Sequence, residues 1–243
     1  MDKFSGMAVC VASSGRPVDI RWALTLPTLI YPVGMSVGWF ARQNKKEEVE
    51  KGETRAQNRE RLMEEIIKIG APYALFLDDD TIPPPWAPRY LHAEINRDPK
   101  AMVCGGIYCT KEDPPAPIVF KELGSGPFYN WKIGDVFECA GIGAGCMLIK
   151  TEVFKHISKP WFAEPDEDFS DKVVEINGVS CPLTRSTATD DLFFCKKVAD
   201  AGFKIMAHGG VLPVHLDQNG KMYTLPLSSY PCQGAGLKPL PGG

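Results

Sequence analysis

Tyr73-Ala-Leu-Phe-Leu-Asp-Asp-Asp-Thr-Ile-Pro-Pro-Pro85 decides how this chain is read. An apolar run, Tyr73 to Leu77, stops at three consecutive carboxylates, Asp78, Asp79 and Asp80. The prolines behind them lack the N–H that a continuing strand would need. A covered strand that ends in clustered aspartates suggests a divalent cation at the carboxyl edge of a sheet. Hard oxygen ligands suit Mn²⁺ or Mg²⁺, and such ions usually hold phosphate. On an extended strand end, Asp78 and Asp80 project to one side and Asp79 to the other. Asp78 and Asp80 are therefore the expected metal ligands, with Asp78 also near a ribose, and Asp79 is expected to tolerate substitution best. The simpler reading is a polar turn closing a strand.

The upstream chain has α/β rhythm. Residues 7–12 form a continuous apolar run, as in a strand covered on both faces. They end in the loop Ser13-Ser14-Gly15-Arg16-Pro17. A helix is expected over 18–31, kinked or divided by Pro27, then a strand over 34–40. The mixed charge run 45–51 reads as a solvated loop. Thr54 and Gln57 have capping-box spacing at the head of a helix over 54–69. Its apolar stripe is Leu62, Met63, Ile66, Ile67 and Ile69, and Gly70 and Pro72 end it. Strand-helix-strand-helix-strand order predicts a parallel sheet with right-handed crossovers. Ligands of such sheets bind beyond the carboxyl ends of the strands, where Ser13–Gly15 and Asp78–Asp80 both lie.

Downstream the pattern loosens. A helix over 86–96 and a strand over 101–108 are followed by a Pro/Gly-rich segment, 109–135, with aromatic residues spaced through it. Strands over 136–140 and 146–149 flank Gly141-Ile-Gly-Ala-Gly145. A short helix is expected over 151–157, a hairpin over 173–179 with an Asn-Gly turn, a helix over 189–201, and short strands over 203–207 and 211–214. The expectation is one α/β domain over 1–224 with a mixed, mostly parallel Rossmann-type sheet. Its nucleotide-binding half is about 1–108, its acceptor-binding α+β half about 109–224, and 225–243 is a Pro/Gly-rich mobile tail.

Composition narrows the class. With 243 residues, 44% of them hydrophobic and 23% charged, the chain can build a full core. A net charge of -3 argues against a general electrostatic grip on nucleic acid, although Lys111, Lys121, Lys132 and Arg185 could form a local basic groove. None of the 8 cysteines forms a C-x-x-C pair, which removes zinc-ribbon spacing. No apolar run approaches the ~20 residues that span a bilayer, and no signal peptide is legible. A soluble, cytoplasmic protein is expected.

Four segments together carry a family resemblance. Leu75-Phe-Leu-Asp-Asp-Asp-Thr-Ile-Pro-Pro resembles the D-x-D region of GT-A-fold, family-2-like inverting glycosyltransferases. Gly145-Cys-Met-Leu-Ile-Lys-Thr-Glu-Val-Phe154 is similar to that family's glycine-rich segment before a short helix. Thr189-Asp-Asp-Leu-Phe-Phe-Cys-Lys-Lys-Val-Ala-Asp-Ala-Gly-Phe203 resembles its acidic pair opening a helix, and Val211-Leu-Pro-Val-His215 its terminal histidine strand. The similarity covers roughly 7–217.

The resemblance implies a nucleotide-diphosphate sugar (a UDP-sugar) as donor, a Mn²⁺ or Mg²⁺ cofactor and a hydroxyl acceptor. It makes Asp191 the general base, with Asp190 orienting the acceptor or the loop. It places His215 with Asp78 and Asp80 as a metal ligand. It assigns Ser13, Gly15, Arg16, Arg55, Asn58, Asp78 and Asp79 to the nucleotide, leaving open whether Arg55 or Arg59 touches it. Gly143, Ala144 and Gly145 would admit the donor sugar, although a tight turn explains them equally well. Trp161 and Phe162 could stack on an acceptor sugar or pack in the core. The acidic pair opening a helix also fits an ordinary favourable N-terminal turn. Other readings are the same chemistry on a hydroxymethylated DNA base, a metal-dependent nucleotidyltransferase, and a non-catalytic nucleotide-sugar binding module.

Overall fold

The computed structural model describes residues 4–13, 15, 17–43, 54–164, 173–176, 179–182 and 189–225. In chain order the elements are β1 (Met7–Ser13), α1 (Ile20–Thr25), β2 (Val37–Gln43), α2 (Arg55–Ile69), β3 (Tyr73–Leu77), β4 (Thr81–Ile82), α3 (Ala87–Ile95), β5 (Ala101–Gly106), β6 (Val119–Phe120), β7 (Val136–Cys139), β8 (Gly141–Ile142), β9 (Cys146–Lys150), β10 (Val173–Ile176), β11 (Val179–Pro182), α4 (Asp190–Asp200), β12 (Lys204–His208), β13 (Val214–Leu216) and β14 (Met222–Tyr223).

A seven-stranded sheet carries the fold, in the order β2-β1-β3-β9-β5-β12-β7. β1 pairs in parallel with β2 and β3, and β5 with β12. β9 runs antiparallel between β3 and β5, and β7 closes the far edge antiparallel to β12. The sheet is thus mixed and mostly parallel, which is consistent with a Rossmann-like fold. Its central strands are covered on both sides, which is why Met7 to Cys10 and Ala74 to Phe76 are fully buried with no alternation.

α2 forms as its caps dictate. Thr54 Oγ1 accepts from the Gln57 N–H at 3.2 Å, and Gln57 Oε1 accepts from the Thr54 N–H at 3.0 Å. Gly70 ends the helix at φ 76°, a left-handed conformation that favours glycine. The buried face is Ala56, Asn58, Arg59, Leu62, Met63 and Ile66, so two polar residues extend the apolar stripe into the core.

Several expected boundaries move. The helix expected over 18–31 is α1 plus a 3₁₀ turn at Leu26–Thr28, because Pro27 has no N–H to continue the α ladder. The second strand starts at Val37 rather than 34. The segment expected as a helix over 151–157 is a 3₁₀ turn at Thr151–Lys155. The strand expected over 211–214 is β13, which starts only at Val214, after Pro213. It pairs antiparallel with β4 and β14 in a small sheet beside the aspartates. β10 and β11 pair antiparallel as the expected hairpin, and its Asn-Gly turn lies outside the described residues, as do the 45–51 loop and the tail beyond 225. Among the described residues no helix is long and apolar enough to cross a membrane.

Candidate active site

The alternation of β3 ends at Leu77, and a turn takes over. The Thr81 N–H donates to the Asp78 carbonyl at 3.1 Å. This turn separates the three carboxylates in a way strand periodicity does not. Asp79 and Asp80 line one cavity of about 430 Å³, together with Val18, Asp19, Lys111 and Asp217. Asp78 goes the other way, into the protein. The expected sharing of one face by Asp78 and Asp80 is therefore corrected: the turn pairs Asp79 with Asp80.

Asp78 accepts from Arg59 Nη2 at 2.7 Å, and Arg59 Nη1 reaches Asp190 Oδ2 at 2.6 Å. Arg59 and Asp190 are each 1% exposed. Burial opposes the Arg59 charge, but the carboxylates of Asp190 and Asp78 outweigh it and raise its pKa well above the ordinary value. A forked guanidinium can serve two carboxylates at once, which an ammonium does less well. Arg55 stays half-exposed, with Nε 3.6 Å from Asp190 Oδ1. Asn58 is completely buried, so it meets the core rather than a surface ligand.

Asp79 Oδ2 accepts from the Ser13 hydroxyl at 2.7 Å, and Ser13 Oγ accepts from the Gly15 N–H at 3.1 Å. The ends of β1 and β3 are thereby joined at the cavity, with Gly15 at φ 78°. Arg16 lies outside the described residues.

Asp80 is bracketed by two groups. Lys111 Nζ is 2.6 Å from Oδ2, and His215 Nε2 is 3.5 Å from Oδ1. His215 Nδ1 lies 2.7 Å from the Cys109 carbonyl. A carbonyl only accepts, so Nδ1 donates to it, and Nε2 is the nitrogen that faces Asp80. Burial pushes the Asp80 carboxyl up, but hydrogen bonds with His215 and Lys111 outweigh it and hold it below the ordinary range. Among the described residues, no three His, Cys, Asp or Glu side chains converge as a metal-holding group.

Asp191 begins α4 beside Asp190 but has a different environment. It is half-buried, and its Oδ2 accepts from the Ala144 N–H at 3.1 Å. Its Oδ1 accepts from the Leu192 N–H at 2.9 Å and from the Thr189 hydroxyl. Burial raises its pKa, Asp190 adds to the rise, and Arg59 and the Thr189 bond oppose it. Adjacent acids are thus separated into a buried one paired with Arg59 and a half-buried one held by backbone and hydroxyl donors.

Gly143, Ala144 and Gly145 are all buried. The close approach the glycines allow is to Tyr108. A Cβ on Gly143 would lie 2.4 Å from Tyr108 Oη, and one on Gly145 2.7 Å from Thr81 Oγ1. The Gly145 N–H donates to Tyr108 Oη at 3.0 Å. Trp161 and Phe162 are corrected from acceptor platforms to core residues. They are 7% and 3% exposed, with Trp161 edge-on to Phe154 and Phe162 stacked on Phe194.

Sequence reading missed the Arg59 bridge and Tyr108. Arg59 did leave a signal: it lies three and four residues before Leu62 and Met63, in phase with the apolar stripe. Tyr108 left none, since one tyrosine after a strand looks like any other.

No family model matches the chain, and no curated protein matches it at a significant level. The crystal structure of A197 from STIV is similar, with a TM-score of 0.57 over 89% of this chain and 93% of that one at 16% identity. That likeness is one of fold: a mixed α/β architecture on a large, mostly parallel sheet.

Proposed function

We propose that this chain is an inverting glycosyltransferase that moves a sugar from a nucleotide-diphosphate donor to an acceptor hydroxyl, with Asp191 as general base. The observation that carries the reading is the split between Asp190 and Asp191. Asp190 is spent on Arg59, whereas Asp191 is half-buried, held by the Ala144 N–H and raised in pKa by that burial. A positioned carboxylate of raised basicity is what deprotonation of a hydroxyl needs. Arg59 also ties the start of α4, where Asp191 lies, to Asp78 at the end of β3.

In this reading Asp80 and His215 would hold a divalent cation, Mn²⁺ or Mg²⁺. One imidazole nitrogen and one carboxylate suit Mn²⁺. The Cys109 carbonyl fixes the His215 ring through Nδ1, as the outer partner of a metal-ligating histidine does. Two protein donors leave positions for phosphate oxygens and water. Asp78, engaged by Arg59, sits aside from this set. When bound, the ion supplies charge neutralisation for the departing diphosphate. Ser13 and Asp79, joined at the cavity edge, are the residues of this reading that meet the nucleoside. Asp191 takes the acceptor proton, with Thr189 and the Ala144 N–H fixing its carboxylate. The proton leaves on Asp191 as the new glycosidic bond forms and the bond to the diphosphate breaks.

Asp191→Asn tests the base. Donor binding should persist while transfer falls by roughly 10²–10⁴-fold, and transfer near the original rate would put the base elsewhere. Thermal stabilisation by nucleotide-diphosphate sugars with Mn²⁺ tests the donor. Stabilisation by a nucleoside triphosphate alone would favour nucleotidyl transfer instead. A mass-shift screen over glycans and hydroxymethylated DNA identifies the acceptor.

A further inference from the structure

We propose that Lys111 is a built-in counter-ion of the cation site: its ammonium competes with a divalent ion for Asp80 and, once displaced, pairs with the diphosphate of the donor. The inference rests on the cation site and donor class proposed above.

Lys111 Nζ and His215 Nε2 take opposite oxygens of one carboxylate, at 2.6 and 3.5 Å. Both contacts trace to one short segment. Cys109 offers the carbonyl that orients His215, and Lys111 follows two residues later. That segment is held in a narrow loop. The Thr110 N–H donates to the Ala116 carbonyl at 2.8 Å, the Ile118 N–H donates to the Tyr108 carbonyl at 2.8 Å, and Cys109 bridges Pro117. The backbone is fixed, while the Lys111 and Asp80 side chains stay 31% and 39% exposed. Lysine is a point charge on a flexible stem, so it can leave one anion for another nearby without moving the loop.

Charge decides which anion it prefers. The cavity presents Asp19, Asp79, Asp80 and Asp217, and Lys111 is the one cation among its described lining residues. A diphosphate entering that ring of carboxylates meets repulsion that a divalent ion offsets only in part. The ion and the ammonium compete for Asp80, because like charges about 4 Å apart on one carboxylate repel. Binding of the ion therefore releases Lys111 at the place where the diphosphate arrives, and a charge-assisted bond to phosphate replaces the one to Asp80. Lys111 serves here as a positioning and charge-balancing residue rather than as the base.

Titration calorimetry on the full chain tests this without turnover. MnCl₂ is titrated into wild type, Lys111→Ala, Lys111→Arg and Asp80→Asn, and UDP is then titrated into wild type and both Lys111 variants in excess MnCl₂. Lys111→Ala should bind Mn²⁺ roughly 5- to 10-fold more tightly without nucleotide, since its competitor is gone. The same variant should bind UDP roughly 10-fold more weakly in excess Mn²⁺, and Lys111→Arg should recover most of that loss. Equal or weaker Mn²⁺ binding by Lys111→Ala overturns the competition, and unchanged UDP affinity overturns the diphosphate contact; either result leaves the cation site standing. Mn²⁺ binding that Asp80→Asn leaves undiminished, or no Mn²⁺ binding by wild type and Lys111→Ala alike, overturns the cation site and this inference together.

Discussion

Arg59 Nη1 donates to Asp190 Oδ2 at 2.6 Å, with both side chains 1% exposed. Its other terminal nitrogen donates to Asp78 at 2.7 Å. One buried cation thus ties the end of β3 to the start of α4. Without it, two carboxylates would face each other away from water. Arg59→Met should destabilise the protein by about 3–5 kcal/mol, the usual range for removing one partner of a buried pair. Arg59→Lys should fall between, because it keeps the charge but loses the fork. Urea unfolding at pH 7 measures both. A loss below about 1 kcal/mol for Arg59→Met would mean that the bridge contributes little.

The Thr189 hydroxyl donates to the ionised form of Asp191 and so opposes the rise caused by burial and Asp190. Thr189→Val removes that support, and the Asp191 pKa should climb further. A base must be deprotonated to work, so the acid limb of the pH–kcat/KM profile should move to higher pH. The limb reports the free enzyme, which makes kcat/KM the quantity to measure. An unmoved limb would separate Asp191 from the base role.

The fold was legible where one apolar pattern ran without interruption, as in β1, β3 and α2. The three aspartates were placed at the sheet edge by the same reasoning. Their individual directions were not, because alternation applies only while the strand lasts, and the Asp78–Thr81 turn ends it. β9 shows another limit. Its residues read as a strand, but its antiparallel insertion between β3 and β5 depends on contacts far along the chain. Trp161 and Phe162 looked equally suited to a sugar and to a core, and only packing against Phe154 and Phe194 distinguishes the two.

His208 is buried, and its Nδ1 accepts from the Gly210 N–H at 3.1 Å, so the ring is held neutral. Burial lowers its pKa to about 4 from the ordinary 6.5. The folded value lies below the unfolded one. The stability that neutral His208 contributes is therefore complete above pH 6.5 and is lost as pH falls toward 4. The loss should reach about 3 kcal/mol at most. Asp191, with its raised pKa, works in the opposite direction over acidic pH, so the comparison must be differential. His208→Asn keeps an acceptor for Gly210 but removes the titration. Unfolding free energies of the two proteins should converge between pH 6.5 and 4, and parallel curves would exclude His208 as the source.

Tyr108 explains why positions 143 and 145 are glycine. Gly143→Ala would put a methyl 2.4 Å from Tyr108 Oη, 2.8 Å from Tyr108 Cζ and 2.9 Å from Ile118 Cγ2. Overpacking of this kind costs about 1–3 kcal/mol. Tyr108→Phe alone leaves the Gly145 N–H without its acceptor, yet it removes the atom that the new methyl strikes first. The double variant should therefore be more stable than the sum of the single losses predicts, by roughly 0.5–1 kcal/mol. Thermal or urea unfolding of the four proteins closes the cycle, and strict additivity would show that the ring carbon of residue 108 and Ile118, rather than the hydroxyl, set the limit.

Trp161 and Phe162 give the test that separates a core from an acceptor platform. Glu60 fixes the backbone beneath them, its carboxylate accepting from the N–H groups of Trp161 at 2.8 Å and Phe162 at 3.1 Å. Phe162 then stacks on Phe194 of α4 at a centroid distance of 4.8 Å and meets Phe76 of β3 edge-on at 5.7 Å. It sits between the strand that ends in the aspartates and the helix that starts with Asp190 and Asp191. Phe162→Ala should therefore destabilise the protein by about 3–5 kcal/mol. A sugar platform would behave differently: its loss would raise the acceptor KM and leave the unfolding midpoint nearly unchanged. Because α4 carries Asp191, loosening its packing should lower kcat as well as stability. Phe162→Leu, which refills most of the space, should recover much of both. A raised acceptor KM with an unshifted midpoint would return Phe162 to the acceptor site.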